Sequence, residues 1–426
     1  MTLRGEGRPV LHATVREGWL NDPLGLTWLG GRYHLFLQNV PGRTDWAPGC
    51  HWAHLTSADL LHWQEGPVAL APGGGEDGCW SGCVVPGPRP EDATLFYTAV
   101  DVTDVHQGRV RVARPTDASW DGWTKGDVVA GVPDGYTAVA HRDPFVLRDG
   151  GVWRMLTGAG RPDGTATALV HTSTDLRTWV YDGELAARHT DERHPVWTGT
   201  VWECPQLFPL DGRWVLVVSV WEADVTHHVV WAVGDYADGR FEAASWGRLA
   251  YGPSYYATST FTDQARRRCL VHWLRGVADR DGGGWAGAIS LPHVVRLDGD
   301  RLVVEPHPAV TAARTTTHDV TAGDRTTIPA LADLEWDLPT QGTAVLDLGG
   351  RARLDVVVGA SVTLVTAEGS WQAPDPGDRL RVVVDGPTLE VFGADGLLAA
   401  PLPGLAPDTT LGVSVPAGRL TAHRLG

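Results

Sequence analysis

The sequence predicts an all-β protein, a five-bladed β-propeller followed by a β-sandwich, and three observations predict it. The first is composition. Twenty Trp, 52 Gly and 29 Pro in 426 residues, with few long runs of helical periodicity, indicate many short strands joined by turns. The second is an internal repeat. "NDPLGLTWLGGRYHLFLQ" from Asn21, "RDPFVLRDGGVWRMLTGAG" from Arg142 and "ECPQLFPLDGRWVLVVSV" from Glu203 each open with an acidic residue one or two places before a proline. Each continues as a short apolar strand, a Gly-containing turn and a second strand that starts near an aromatic. The steps from Pro to that aromatic (Tyr33, Trp153, Trp214) are 10, 9 and 9 residues, so one hairpin template is used three times. The third observation is a change of character after Pro306 and Pro308, described below.

Two further hairpins fit the template more loosely, "GCWSGCVVPGPRPEDATLFYTAV" from Gly78 and "YYATSTFTDQARRRCLVHW" from Tyr255. Second strands are then expected near 32, 94, 152, 213 and 269, a period of 55 to 62 residues. "SADLLHW" (Ser57 to Trp63) returns as "STDLRTW" (Ser173 to Trp179). Four-stranded units repeated at a long period predict propeller blades, and five units predict five blades. From about residue 311, stretches such as "TAVLDLGG", "ARLDVVVG" and "RLRVVVDGPTLEVFG" have the strand length and alternation of an antiparallel sandwich. The expected domains are 1–300, catalytic propeller, and 301–426, sandwich.

The formal net charge of −16 argues against nucleic acid, since phosphate binding needs a basic face. No apolar run approaches the roughly 18 residues that cross a bilayer, so no membrane partner is expected. The N-terminal stretch shows no apolar signal-peptide core, and a cytoplasmic protein, monomer or homodimer, is the expectation. Five cysteines, at 50, 79, 83, 204 and 269, do not make a disulfide framework in such a chain. Cys79 with Cys83, His51 with His54 and the His227–His228 pair each lack the partners of a metal site. No metal and no cofactor are expected. The Gly-rich "APGGGEDG" and "DRDGGGW" lack the setting of a phosphate cradle and are expected as flexible loops on the propeller face.

In a propeller the first strand of each template lines the central channel, so equivalent positions on different blades converge. Asp22, Asp143 and Glu203 are equivalent, and are expected to gather at one end of the channel. A carboxylate cluster is costly unless function needs it, and glycoside hydrolysis needs one ionised carboxylate and one protonated carboxyl. Asn21, Gln38, Ser81 and Arg142 offer hydrogen bonds to hydroxyls. Trp19, Trp46, Trp80, Trp202 and Trp285 offer flat faces to sugar rings, against the plainer reading that most tryptophans pack between sheets.

"WLNDPLG", "YHLFLQ", "HWAHLTSADLLHW", "CWSGCVV", "RDPFV", "WECP", "YYATSTF" and "WAGAISLP" occur in the order and approximate spacing found in glycoside hydrolase family 32, and the chain resembles that family over most of its first 297 residues. "RLRVVVDGPTLEVFGADG" resembles the family's sandwich. The resemblance implies a retaining enzyme acting on a terminal β-fructofuranosyl unit of sucrose or a short fructo-oligosaccharide. It makes Asp22 the nucleophile, Glu203 the acid/base and Asp143 the transition-state stabiliser. It places Asn21, Gln38, Trp46, Ser81, Arg142, Tyr256 and Trp285 at substrate-binding positions. Leu24 departs from the family's usual Asn, and "DWAPGCHWAH" around Trp46 is about one residue longer than the common form; both put sugar contacts in doubt. Two other readings compete: an inverting propeller glycosidase on arabinose- or xylose-type furanosides, and a sugar-binding propeller without catalysis.

Overall fold

A computed structural model describes residues 7–279, 282–320, 323, 325–415 and 417–426. Among them are 34 strands, one α-helix (Pro308–Ala312) and one 3-10 turn (Pro90–Asp92). The second strands of the predicted hairpins begin at Arg32, Thr94, Val152, Arg213 and Arg268. No helix of the described residues is long and apolar enough to cross a membrane.

Four units are four-stranded antiparallel runs in chain order: Gly18–Leu29 to Trp63–Glu65, Gly78–Val85 to Trp123–Ala130, Ala140–Asp149 to Val180–His189, and Val201–Leu210 to Arg240–Arg248. A fifth unit runs from Tyr255–Thr262 to Arg301–Pro306, its second strand, Arg268–Ala278, pairing with three others. Strand Trp285–Ile289 also pairs in parallel with the start of strand Gly18–Leu29. The five first strands touch in a cycle: Gly18–Leu29 meets Gly78–Val85, and Tyr255–Thr262 returns to Gly18–Leu29. The repeated SxDL motif forms the same turn twice. Ser57 Oγ accepts from the Asp59 and Leu60 N–H groups, and Asp59 Oδ1 from Leu61 and His62; Ser173 and Asp175 repeat every bond.

Each first strand breaks register at its motif, and Gly18–Leu29 breaks it a second time between Leu24 and Thr27. Two residues face one across the break at Asn21–Asp22, Asp143–Pro144, Cys204–Pro205 and Ala257–Thr258, and Ser81 is the extra residue in the second unit. Such bulges re-aim side chains out of the sheet's alternation. Proline suits them at Pro144 and Pro205, because a bulged residue has no ladder bond for its missing N–H to break, whereas Pro23 follows its bulge opposite Leu37. This is the physical content of the acidic-residue-plus-Pro template. Asp143, Cys204 and Ala257 take left-handed φ values of 61°, 47° and 47° at these bulges, a conformation that costs a non-glycine residue about 1–2 kcal/mol and concentrates at functional sites.

The last hairpin of the fifth unit pairs His293–Asp298 with Arg301–Pro306, so residue 300 lies inside its turn and the sheets change after Pro306. Beyond it, two sheets of seven and six strands enclose a common aliphatic core that includes Leu334, Trp336, Leu346, Leu354 and Leu364. The seven-stranded sheet also takes in Ala250–Tyr251, in parallel with Gly396–Pro401. Its hairpin Arg379–Asp385/Thr388–Gly393 carries two buried acids into the first part of the chain. Asp385 accepts from the N–H groups of Val10, Leu11 and His12. Glu390 meets His12 Nε2 at 2.7 Å and His293 Nε2 at 2.9 Å, and accepts from Tyr255 Oη and the Leu291 N–H.

Candidate active site

The bulges bring Asp22, Asp143 and Glu203 together. Cys204 stands between the first two: its Sγ lies 3.6 Å from Asp22 Oδ2 and 3.6 Å from Asp143 Oδ2. Its backbone N–H also donates to Asp143 Oδ2 at 3.0 Å. Asp22 accepts from Asn21 Nδ2 and Gln38 Nε2, each at 3.0 Å, and closely from the Ser81 hydroxyl. Gln38 faces the two-residue bulge from the neighbouring strand, and Ser81 is the bulged residue of the second unit. Asp143 is anchored through its own N–H, which donates to Thr98 Oγ1 at 2.8 Å; Thr98 in turn donates to the Ser81 carbonyl at 2.9 Å. Glu203 Oε2 accepts from Tyr256 Oη at 2.6 Å, and Glu203 Oε1 lies 3.3 Å from Arg142 Nη1.

Burial raises all three carboxyl groups above their ordinary values, since a desolvated charge is costly. For Asp22 the bonds from Ser81, Asn21 and Cys204 oppose the rise. For Glu203 the charge of Arg142 and the bond from Tyr256 oppose it. Asp143 is raised to about 8, by burial and then by the charge of Glu203, with Arg142 opposing. Burial and the neighbouring carboxylates push the Cys204 thiol well up, so it stays an S–H group. Two buried polar atoms at the site have no protein partner, Asn21 Oδ1 and Arg142 Nε. A ligand rich in hydroxyls would satisfy both an acceptor and a donor of this kind.

Trp80 is buried at the site's edge, 5.6 Å from the Arg142 guanidinium. Trp46 stands edge-on to it at 5.7 Å and is 47% exposed, so it presents a free aromatic face. The other tryptophans do not. Trp202 is wholly buried in the core of the third and fourth units, and Trp19 packs edge-on against Trp273. Trp285, expected at a substrate-binding position, is 1% exposed with the Arg8 guanidinium over its ring. It belongs to the apolar cluster that reaches the C-terminal sheets, because its strand closes the fifth unit on the first. Leu24 is buried in the apolar core with Phe36, Trp52 and Trp120.

The sequence reading missed Cys204, Thr98, His106 and Trp221. Cys204 was readable as the residue between the acid and the proline of "ECP"; the others sit on second or third strands of their units, away from the acidic motifs. "APGGGEDG" is not a free loop. Glu76 is buried and paired closely with both Arg111 and Lys125, and accepts from Tyr97 Oη at 3.1 Å. Arg280 and Asp281 of "DRDGGGW" lie outside the described residues. Among the described residues one group has metal-ligand proximity, Asp263, Cys269 and His307. Its carboxylate is already taken by Arg267 Nε at 2.6 Å and His307 Nε2 at 3.0 Å, and a guanidinium in that position repels a cation.

Residues 12–306 match the model of the Glycosyl hydrolases family 32 N-terminal domain. The chain is 32% identical to the sucrose-6-phosphate hydrolase of Salmonella typhimurium over 417 residues, 91% of this chain and 87% of that protein. It is 31% identical to the Escherichia coli enzyme of the same name over 70% of this chain and 64% of that one. Among solved structures, the GH32 beta-fructofuranosidase BmSUC1 of Bombyx mori shares the fold at a TM-score of 0.85 and 24% identity, with 98% of this chain and 94% of that one covered. A glycosidase-like carboxylate cluster and a family match across all five units lead to one conclusion: the chain belongs to glycoside hydrolase family 32 and is a glycoside hydrolase.

Proposed function

We propose that this chain is a retaining β-fructofuranosidase that releases terminal β-D-fructofuranosyl units from sucrose or short fructo-oligosaccharides. The observation that carries the reading is the junction of Asp22, Asp143 and Glu203, each from a different unit's first strand, with the Cys204 thiol between the two aspartates and Arg142 against Glu203. Asp22, reachable and oriented by three donors, attacks C2 of the fructosyl unit. Glu203 protonates the departing oxygen, then draws a proton from water to release fructose from the covalent intermediate. In the free enzyme a proton is shared between Asp143 and Glu203, since two neighbouring buried carboxylates do not both ionise readily. Sugar hydroxyls donating to Asp143 stabilise its charge and leave that proton on Glu203, where the leaving group needs it.

Asn21 Oδ1, Arg142 Nε, Gln38 and Ser81 receive the fructosyl hydroxyls, and Trp46 and Trp80 flank the leaving sugar. We read the five units as propeller blades, supported by their cycle of contacts, and the two C-terminal sheets as the sandwich, with the division moved from 300 to just after Pro306. Five buried, unpaired cysteines suit a reducing, cytoplasmic setting. The test is release of free fructose by the purified protein from sucrose, sucrose 6-phosphate, and short β-2,1 and β-2,6 fructans, with an arabinofuranoside as control. Fructose release supports the reading; cleavage of the arabinoside alone, or of nothing, overturns it.

A further inference from the structure

We propose that His106 is a positioning residue for acid catalysis by Glu203, acting through Arg142; the proposal rests on the β-fructofuranosidase reading above. Arg142 is held from four directions. Its Nη1 faces Glu203 Oε1 at 3.3 Å, its Nη2 donates to His106 Nδ1 at 3.2 Å, and its guanidinium carbon lies 5.6 Å from the Trp80 ring and 5.2 Å from the Trp221 ring. His106 comes from strand Asp104–Pro115 of the second unit and Trp221 from strand Arg213–Glu222 of the fourth.

Arginine has only donors, so His106 Nδ1 must be the acceptor and the ring carries its proton on Nε2. That nitrogen lies 3.5 Å from Asp224 Oδ1. Asp224 sits with Ala223 at the tip of the hairpin joining Arg213–Glu222 to Val225–Ala237, both residues left-handed at 62° and 49°, as a two-residue hairpin turn requires. Glu203, Arg142, His106 and Asp224 therefore form one line across three units, from a largely buried acid to an exposed turn. The order matters for the reaction. Attraction to the two aromatic faces holds a cation near them, but does not choose which nitrogen meets Glu203. A directional hydrogen bond does. With that bond, one nitrogen faces the acid at a fixed distance and Nε stays free for the sugar. Without it, the guanidinium can turn fully onto Glu203 and stabilise its carboxylate, which weakens it as an acid.

Such a role is selective for the leaving group. An alkoxide leaves sucrose only with a proton, whereas 4-nitrophenolate leaves its β-fructofuranoside without one. We expect His106→Ala to lower kcat/KM for sucrose about tenfold, within the range general acids contribute, and to change kcat/KM for the nitrophenyl substrate by less than about twofold. Asn places its Oδ1 where His places Nδ1, so His106→Asn should recover most of the loss. Asp224→Asn changes an exposed turn residue (side chain 78% exposed) that tolerates left-handed backbone, and decides the matter should His106→Ala fail to fold; a smaller loss confined to sucrose is expected. Equal losses on both substrates, no loss on either, or an Asn variant as impaired as Ala would overturn the proposal while leaving the function intact. A wild-type protein that releases fructose from neither substrate would overturn both.

Discussion

Glu203 and Asp22 differ in what surrounds their oxygens, and the difference supports the separate tasks proposed for them. Asp22 accepts from Asn21, Gln38 and Ser81, all neutral donors that favour its ionised form and aim it. Glu203 is set between a phenol and a guanidinium, Tyr256 Oη and Arg142 Nη1. At Glu203, replacing the acid by its isosteric amide removes proton donation and keeps the shape. Glu203→Gln is expected to lower kcat/KM for sucrose by about 10²–10⁴-fold, with the unfolding midpoint within about 2 °C of the parent. Steady-state assay with thermal unfolding checks both; activity within tenfold of the parent would refute the assignment.

The five bulges do at the level of the strand what no single residue can. A regular strand sends alternate side chains to opposite faces, so consecutive residues such as Asn21 and Asp22 face opposite ways unless the register breaks between them. Each first strand breaks register at or beside its motif, with Glu203 just before its bulge, and the three acids come together. The hairpins and their period were legible in the sequence, because turn residues and aromatic spacing are local. The bulges were not, since a register shift is defined only against the partner strand. The same reason explains Leu24 and Trp285: the resemblance made Leu24 a departure from a usual Asn and gave Trp285 a substrate-binding position, while both lie buried in apolar clusters, Leu24 opposite Phe36 and Trp285 beside the start of strand Gly18–Leu29. Leu24→Asn should bury an unpaired amide among Phe36, Trp52 and Trp120, costing about 1–3 kcal/mol, and leave kcat/KM for sucrose within about twofold. Denaturant unfolding with a parallel assay tests this; an unchanged stability with altered substrate preference would place Leu24 in the site after all.

Across the whole molecule, the C-terminal sheets are fastened to the catalytic units by buried charge rather than by apolar contact alone. Burial opposes a charge on His12, but bonds and charge from Asp385 and Glu390 more than offset it and raise it to about 9. Burial likewise raises Glu390, and bonds from His12 and His293 more than reverse this, holding it well below the carboxylate range. His12 thus contributes stability that is complete below its unfolded value of about 6.5 and fades as pH climbs through about 9. Glu390 contributes above its own unfolded value and its share is lost only as pH falls far below it. The unfolding free energy should therefore drop by about 3 kcal/mol between pH 6.5 and pH 9.5, and His12→Gln should flatten that decline. An equally steep decline in the variant would assign it to other groups. The sequence named a sandwich here, but nothing local announces that Asp385 and Glu390, some 375 residues from His12, are its partners.

The central claim is that Asp22 bonds to the sugar while Glu203 manages the proton, and one measurement addresses it most directly. Glu203→Ala, incubated with 4-nitrophenyl β-D-fructofuranoside, can form the intermediate without a proton donor but lacks the base that resolves it. Mass spectrometry of its peptides should then find a fructosyl adduct on the segment carrying Asp22. An adduct on Asp143, or free fructose released at the parent rate with none trapped, would contradict the account.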